Sequence, residues 1–300
     1  MHESTPPEHS APAHPAPAQS APTRLLAETL DPWPANALRA TLALERPAFG
    51  PGDALPPFWH WLYFREALAP ERLGPDGHPA TGGFIPAVAQ PRRMWAGGRL
   101  GFLAPLRLGQ AAEHRARVTE VRETRGRSGA LSFVSLRNEI RALGADTPAI
   151  IEEQDLVYRN DPPPDAPQRA PEQAPRDETH TKAWCFDTTA LFRYSALTFN
   201  GHRIHYDADY ARDVEGYAGL VVHGPLLATV LLELAHEIAG PPAYFSFRAR
   251  SPVIADEAVT ACARADEDKA ALWIRASDGR LAMQAEAKWS RDGCSAPVLG

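Results

Sequence analysis

The stretch Thr198 to Asp207, with the sequence TFNGHRIHYD, concentrates groups that can move protons and hold a water molecule. A histidine such as His205 has an ordinary pKa near neutrality, so it can accept or donate a proton without a large change of environment. Asn200 cannot carry a proton, but its amide can orient a water molecule or a carbonyl group. Gly201 gives the loop enough backbone freedom to bring both side chains to one point. By residue types alone, an exposed polar loop would account for His202 and His205 equally well.

A second feature is VVHGPLL, which begins a long apolar segment and whose Gly224 lies nineteen residues after His205. Pro225 suits the first turn of a helix because it lacks an N–H, and the amides around Gly224 would stay unpaired there. Free amides at a helix N-terminus can stabilise negative charge that develops on an oxygen. The same residues could equally be a simple helix start. Together with Asn200 they strengthen the case for an active site.

The elements expected to position these residues form a unit of roughly residues 183–292. TKAWCFDTTALFRYSALT is predicted to be extended, DADYARD to be a short helical turn, and PLLATVLLELAHEIAG to be a helix that ends at Gly240. That helix is apolar on nearly all sides and must be wrapped by other structure. AYFSFRAR, AVTACARADE, ALWIRAS and LAMQAEAKWS alternate with period two and are predicted to be the strands that wrap it, with a hairpin at Asp278-Gly279.

A first unit, roughly residues 24–160, repeats the same plan. FWHWLYFREAL is predicted to be a helix, with Trp59, Trp61 and Tyr63 in the core. GRLGFLAPLRLG, EHRARVTEVRET, ALSFVSLRNEI and AIIEEQDLVYR are predicted to be strands, with a turn at GRSG. The sequence therefore predicts an α+β protein in which a long antiparallel sheet curls around a buried helix, twice.

Composition bounds the remaining possibilities. Residues 1–23 are rich in proline and alanine and predict a disordered tail, and Asp161–Lys182 contains six prolines and predicts a linker. A net charge of -6 gives no general reason to expect nucleic-acid binding, and the charged side chains within the apolar run argue against a membrane span. Three scattered cysteines suggest neither a disulfide framework nor a zinc site, so we expect a cytoplasmic protein without a metal or separate cofactor.

The order N-x-H-x-I-H, short helix, V-H-G and long apolar helix resembles the MaoC-like (R)-specific enoyl-CoA hydratases of the hot-dog fold. Their motif D-x-N-P-[LIV]-H places its aspartate on Asn200, its asparagine on His202, its proline on Arg203 and its histidine on His205. The oxyanion-hole glycine falls on Gly224. The segments FWHWLYF, GGFIP, PRRMWAGGRLGF and PLRLGQ are similar to a two-domain subgroup that includes mesaconyl-C4-CoA and itaconyl-CoA hydratases and mitochondrial type 2 hydroxyacyl-thioester dehydratases.

The resemblance implies reversible addition of water across a double bond conjugated to a thioester. It makes His205 the acid/base, Asn200 the partner that orients water, and the Gly224 amide an oxyanion donor. It also implies that the N-terminal hot dog lacks the catalytic motif, that the acyl-CoA substrate is a short branched dicarboxylyl thioester, and that coenzyme A enters only as part of that substrate.

Further residues are candidates for substrate binding. Arg203 could clamp a free carboxylate on the acyl chain or pair with Asp207 or Asp209. His202 and His223 flank the catalytic positions, while Arg92, Arg93, Arg248 and Arg250 are candidates for the phosphates of coenzyme A or ordinary charged strand edges.

Three alternatives stay open at this stage. The first is an (R)-3-hydroxyacyl-thioester dehydratase of fatty-acid metabolism, which a tunnel for a long acyl chain would support. The second is a non-catalytic acyl-CoA-binding hot-dog protein, which would be favoured if the His205 and Gly224 positions did not converge in a pocket. The third concerns assembly, because two hot dogs in one chain allow either a monomer or a homodimer of pseudo-dimers.

Overall fold

The computed structural model describes residues 22–126, 129–160 and 170–290. The predicted tail therefore lies outside the described residues except at its end, where Thr23 begins the first strand. The first-half strands are β1 (Thr23–Thr29), β2 (Arg92–Phe102), β3 (Ala111–Gly126), β4 (Gly129–Ala142) and β5 (Ile150–Arg159). The second-half strands are β6 (His180–Cys185), β7 (Tyr244–Ala249), β8 (Ala258–Ala265), β9 (Lys269–Ala276) and β10 (Leu281–Lys288). The α-helices are α1 (Pro32–Thr41), α2 (Thr188–Thr198) and α3 (Gly224–Ala239).

All ten strands form one antiparallel sheet in the order β1-β3-β4-β5-β2-β7-β10-β9-β8-β6. The two halves meet where β2 pairs with β7, with Gly97 opposite Arg248. A Cβ atom at Gly97 would lie 2.6 Å from the Phe247 carbonyl oxygen, so this contact requires glycine. The predicted strands are confirmed, except that GRLGFLAPLRLG is a strand only as far as Phe102. Together with the buried helix they form the double hot-dog fold.

Helix α3 is the central helix of the second half, as predicted. His223 caps its N-terminus, Pro225 occupies the first turn and Gly240 ends it with a positive φ of 79°. Its side chains from Pro225 to Ala235 are all buried, and the helix packs against β7, β8, β9 and β10. A helix that is apolar on all sides needs such a wrapping to be stable.

Among the described residues of the first half, no helix matches the length of α3, and the prediction that FWHWLYFREAL is a helix is wrong. FWHWLYFREAL forms only a 3-10 turn, Trp59–Leu62, between Phe58 and Phe64, whose positive φ values of 74° and 59° interrupt any helix. Tertiary contacts fix this shape because the indole N–H groups of Trp59 and Trp61 donate to the buried carboxylates of Glu233 and Glu152. All three aromatic residues predicted to be core are shielded from solvent, Trp59 and Tyr63 fully and Trp61 partly.

Two further predictions need correction. TKAWCFDTTALFRYSALT is extended only as far as Cys185, after which it forms α2, whose N-cap Asp187 accepts a hydrogen bond from the Ala190 N–H. The predicted linker also ends too late, because β6 begins at His180, within it. Ala174 is already buried against the second half. Within the described ranges, no helix is long and apolar enough to cross a membrane.

Candidate active site

A cavity of about 910 Å³ lies between the two halves and collects most of the residues singled out in the sequence. Its lining includes Asn200, His202, His205, Gly224, Arg93, Arg248 and Arg250. The other three candidates, Arg92, Arg203 and His223, are not among its lining residues. His205 and Gly224 thus converge on one pocket, as an active site requires.

His205 is held in one orientation and one protonation form. Its Nδ1 lies 2.7 Å from the carbonyl oxygen of Val221, which can only accept a hydrogen bond, so Nδ1 carries the proton. Nε2 is then the basic nitrogen of a ring that lines the cavity. Burial lowers the pKa of His205 to about 3, against the Val221 hydrogen bond and with a further contribution from His202. The imidazole is therefore neutral at pH 7 and can accept a proton from water.

Asn200 follows α2 directly. The helix ends at Phe199 in a left-handed conformation, with a φ of 52°, and the Asn200 N–H donates to the Ser195 carbonyl at 2.9 Å. The Asn200 Oδ1 accepts the His202 N–H at 2.9 Å. The side-chain carbonyl is thus engaged in the turn, which leaves the NH₂ group as the part of Asn200 that can donate to a ligand in the cavity.

His223 supports His205 from behind instead of facing the substrate. It is fully buried, and its ring stacks on that of His205 with centroids 3.6 Å apart and planes 20° apart. Its Nε2 lies 2.8 Å from the Ser195 Oγ. The substrate-binding role expected for His223 is therefore corrected to a positioning role, because its side chain lies outside the cavity.

Gly224 places the first amide of α3 at the cavity. Pro225 has no N–H, and the Gly224 N–H meets no acceptor in the part of the chain that the structure describes. The indole of Trp95 covers the Gly224 Cα, so that an added Cβ would lie 2.7 Å from the Trp95 Cε3. Glycine is needed here for space, and its unpaired amide can receive negative charge from a thioester oxygen.

The Arg203 guanidinium is held by groups of the chain itself. Its guanidinium donates to Asp207 Oδ2 at 2.7 Å, packs over the Tyr210 ring and reaches the Pro75 carbonyl at 3.3 Å. The Arg203 backbone N–H also donates to the Asp76 carbonyl at 2.9 Å. The expectation of a carboxylate clamp at Arg203 is corrected accordingly. Of the alternatives open at the sequence level, the pairing with Asp207 is the one observed.

These contacts fasten a loop of the first half, residues 74–79, onto residues 200–207, which carry the candidate base His205 and are named the catalytic loop. Gly77 adopts a φ of 86°, and a Cβ there would lie 2.0 Å from the Gly201 carbonyl oxygen. The loop delivers His78, whose ring centroid lies 4.6 Å from that of His202. His202 in turn meets the His205 ring edge to face at 5.4 Å. His78 lines the cavity although no motif in the sequence marked it.

The four arginines considered for coenzyme A binding differ in whether they line the cavity. Arg92 forms an ion pair with Glu215 at 2.6 Å and lies over the Tyr217 ring, outside the cavity, so its expected contact with the substrate is corrected. Arg248 and Arg250 are exposed where they line the cavity, as a binding site for coenzyme A phosphates would require. Arg93 is half-buried and lines the cavity beside the histidines.

Part of the cavity lining is polar and belongs to the first half. Glu152, fully buried, accepts the Trp61 Nε1–H at 2.9 Å and lies 3.2 Å from the His60 Nε2. His114 pairs with Asn138 through its Nε2 at 2.9 Å. All five residues line the cavity. His60 Nδ1 and Asn138 Nδ2 are buried without a partner in the described part of the chain, which favours a polar ligand over a long hydrocarbon chain.

Three potential metal ligands also come together at the loop contact. One ligand atom each from Asp76, His78 and His202 lies within 4.8 Å of the others. Two imidazoles and a carboxylate are a donor set that suits zinc or iron. The positive charge of Arg93, however, lowers the pKa of both His78 and His202 after the larger effect of burial. The same positive charge opposes a cation at this position.

Sequence reasoning missed several residues that shape the site. Val221 fixes the His205 tautomer through its carbonyl, Ser195 holds His223, and Trp95 covers Gly224. The Asp76-Gly77 pair signals a turn, and the Asp187-Thr188 pair signals a helix cap, so both elements had a local signal. Their contacts with the catalytic loop had none.

Comparison with known proteins agrees with the fold. HtdX of Mycobacterium tuberculosis superimposes with a TM-score of 0.63 at 18% identity, covering 89% of this chain and 100% of that chain. A MaoC-like dehydratase of Phytophthora capsici gives a TM-score of 0.62 at 14% identity, covering 90% of this chain and 96% of that chain. These structures agree with the double hot-dog fold that the two halves described above form.

The sequence comparisons identify the family within this fold. The family model for hydroxyacyl-thioester dehydratase type 2 matches residues 58–255. Mesaconyl-C4-CoA hydratase of Chloroflexus aurantiacus is 44% identical over 84% of this chain and 90% of its own length. The mitochondrial hydroxyacyl-thioester dehydratase type 2 of Schizosaccharomyces pombe is 28% identical over 83% of this chain and 92% of its own length. The chain belongs to the hydroxyacyl-thioester dehydratase type 2 family and is an enzyme of the hydro-lyase class.

Proposed function

We propose that the protein hydrates mesaconyl-C4-CoA reversibly to citramalyl-CoA. The observation that carries the chemistry is the convergence of His205, Asn200 and Gly224 on one cavity. The substrate follows from the relative that is 44% identical across nearly its full length. Itaconyl-CoA, an isomeric dicarboxylyl thioester whose double bond is not conjugated to the thioester, would give the same product on hydration and is the second substrate to be compared.

The proposed mechanism begins with water oriented by the Asn200 amide. The neutral His205 Nε2 takes a proton from this water as its oxygen forms a bond with the β-carbon. The electrons of the double bond move toward the thioester, whose oxygen gathers negative charge at the Gly224 N–H. The α-carbon then receives a proton from the imidazolium, so that the elements of one water molecule are added and His205 regains its neutral form.

Typical magnitudes are known for the contributions of an oxyanion donor and of an acid/base group to the rate. Loss of one oxyanion donor costs about 2.7–4 kcal/mol of transition-state stabilisation in enzymes of other kinds. A positioned acid/base contributes roughly 10²- to 10⁴-fold in rate. His205→Ala should therefore abolish measurable hydration while the protein stays folded. An alanine variant that keeps near-normal turnover would remove His205 from the mechanism.

The competing function is dehydration of a longer (R)-3-hydroxyacyl thioester, as the names of the more distant relatives suggest. Two buried polar atoms of the cavity lining, His60 Nδ1 and Asn138 Nδ2, have no hydrogen-bond partner among the described residues. They weigh against a long apolar chain, because such a chain would leave them unpaired at a cost of about 1–3 kcal/mol each. A purely non-catalytic binding role is not supported, because the catalytic positions share one cavity in a chain of the hydro-lyase class.

The deciding experiment is a hydration assay that follows mesaconyl-C4-CoA and crotonyl-CoA at the enoyl thioester absorbance, and itaconyl-CoA by chromatographic detection of citramalyl-CoA. Mesaconyl-C4-CoA, itaconyl-CoA and crotonyl-CoA are compared side by side at matched concentrations. We expect the highest kcat/KM for mesaconyl-C4-CoA. A preference for crotonyl-CoA or for longer enoyl thioesters would favour the dehydratase function instead.

Assembly is part of the proposal as well. Both halves already share one sheet and one cavity within a single chain, so the site needs no second copy. A homodimer of such chains stays a prediction, which light scattering of the purified protein can test.

A further inference from the structure

Arg93 differs from its neighbour Arg92 in what surrounds its charge. Arg92 is neutralised by Glu215. No carboxylate lies within ion-pairing distance of the Arg93 guanidinium, and no side-chain hydrogen bond is made by it, among the residues that the structure describes. The N–H groups of the Arg93 guanidinium are therefore available to an anion in the cavity.

Two histidines lie close enough to Arg93 for its charge to affect them. His78 and His202 both line the cavity and lie in ring contact with each other. Burial and the Arg93 charge lower the pKa of His202 to about 4, and the pKa of His78 well below its ordinary value. Each ring is neutral at pH 7 and can donate one N–H without adding charge.

The geometry points to an anion subsite. Resting on the function proposed above, we propose that Arg93, assisted by His78 and His202, binds the free carboxylate of the acyl group and selects dicarboxylyl thioesters. A guanidinium can hold a carboxylate through two parallel hydrogen bonds. This assignment replaces the coenzyme A phosphate as the partner of Arg93 and leaves the exposed Arg248 and Arg250 for the phosphates.

The position of the subsite fits the chemistry of the substrate. In mesaconyl-C4-CoA the free carboxylate is attached to the β-carbon, the carbon that water attacks. His202 contacts the ring of His205, so a carboxylate held beside His202 lies next to the base. A substrate with only a methyl group in this place would leave Arg93 unpaired, and sites of this kind can reject such an analogue by several orders of magnitude.

Asp76 is the group that opposes the proposal, and its environment limits that effect. Its Oδ1 accepts the His78 N–H at 3.0 Å, and its carbonyl accepts the Arg203 N–H. The carboxylate is therefore engaged in holding the loop. Because Asp76 and the two histidines could also hold a metal ion, the test must separate an anion from a cation.

The experiment uses two saturated thioesters that the enzyme cannot hydrate. Methylsuccinyl-C4-CoA and isovaleryl-CoA have the same skeleton and differ at the β-carbon by a carboxylate in place of a methyl group. Isothermal titration calorimetry of the wild-type protein should show at least about tenfold tighter binding of methylsuccinyl-C4-CoA. Arg93→Gln should reduce this ratio to about one. Arg248→Gln, the matched control in the same cavity, should weaken both ligands alike and keep the ratio.

Equal affinity of the wild-type protein for the two thioesters would overturn the proposal without any variant, so it stays falsifiable if Arg93→Gln does not fold. So would a ratio that survives in a folded Arg93→Gln protein. Stoichiometric zinc binding by the wild-type protein that is lost in His78→Asn would show a metal site instead. A clear preference for methylsuccinyl-C4-CoA without any hydration of mesaconyl-C4-CoA would support the subsite and refute the proposed function, so the two failures are distinguishable.

Discussion

The imidazole rings of His205 and His223 stack with their centroids 3.6 Å apart, and neither ring is exposed by more than a few per cent. One ring faces the cavity and the other is anchored by Ser195. Two neutral histidines can pack in this way, whereas two charged ones would repel each other. The pair therefore ties the orientation of the proposed base to its neutral form.

The stacking predicts a positioning role for His223. His223→Ala should lower kcat by roughly tenfold to a hundredfold with little change in KM, because small displacements of a catalytic group have effects of this size. His223→Phe, which keeps a flat ring behind His205, should restore much of the rate. Steady-state kinetics of the two variants checks this. Equal losses in both would instead assign the effect to the lost contact with Ser195.

The close contact between Gly224 and Trp95 predicts a steric clash in Gly224→Ala, which a smaller residue at position 95 should relieve. Gly224→Ala places a methyl group 2.7 Å from the Trp95 ring, so the ring or the helix start must move. We expect kcat to fall about a hundredfold and the free energy of unfolding to fall by about 1–3 kcal/mol. Adding Trp95→Leu should recover part of the stability. Strict additivity of the two changes in denaturation experiments would argue against the contact.

The lowered pKa of His205 predicts an unusual pH profile. The reaction needs the neutral base, so activity is lost as the pH falls through the pKa of the free enzyme, which is about 3. Between pH 5.5 and 8 we expect kcat/KM to be flat. An ordinary histidine with a pKa near 6.5 would cause about a tenfold loss at pH 5.5. Observation of that loss would contradict the assignment of a deeply buried neutral base.

The position of Asn200 in the cavity lining allows the effect of a charge next to the substrate to be tested. Asn200→Asp introduces the aspartate that the motif D-x-N-P-[LIV]-H has at this position. The substitution also adds a negative charge near an anionic acyl group. We expect kcat/KM to fall for mesaconyl-C4-CoA and to rise or stay level for crotonyl-CoA, because like charges repel. Improved turnover of mesaconyl-C4-CoA by this variant would show that repulsion is not important.

The contacts of Arg203 predict that its removal lowers kcat/KM by the same factor for every substrate. Its contacts with Asp207 and Pro75 hold residues 74–79 against the catalytic loop. Arg203→Ala should therefore lower kcat/KM by a similar factor for all three enoyl thioesters. Arg212→Ala, which removes another exposed arginine paired to an aspartate nearby, serves as the control and should have little effect. A loss confined to the dicarboxylyl thioesters would revive the clamp at Arg203.

Local patterns were sufficient where an element depends on its own residues. Alternation located the central stretches of β2 to β5 and β7 to β10, and the apolar run between Pro225 and Gly240 located α3. Local patterns failed where contacts with distant segments determine the backbone conformation. FWHWLYF has an apolar composition typical of a helix, yet its aromatic N–H groups are directed to Glu152 and Glu233, and the backbone follows those contacts.

The sequence by itself determined the double hot-dog class and the set Asn200, His205 and Gly224, because a short motif and a helix start carry that information within a few residues. Only the tertiary structure decided which arginines face the cavity and that His78 joins the catalytic loop. An arginine's role depends on whether a carboxylate from a distant segment reaches it. Glu215 reaches Arg92 and Asp207 reaches Arg203, whereas no described carboxylate reaches Arg93.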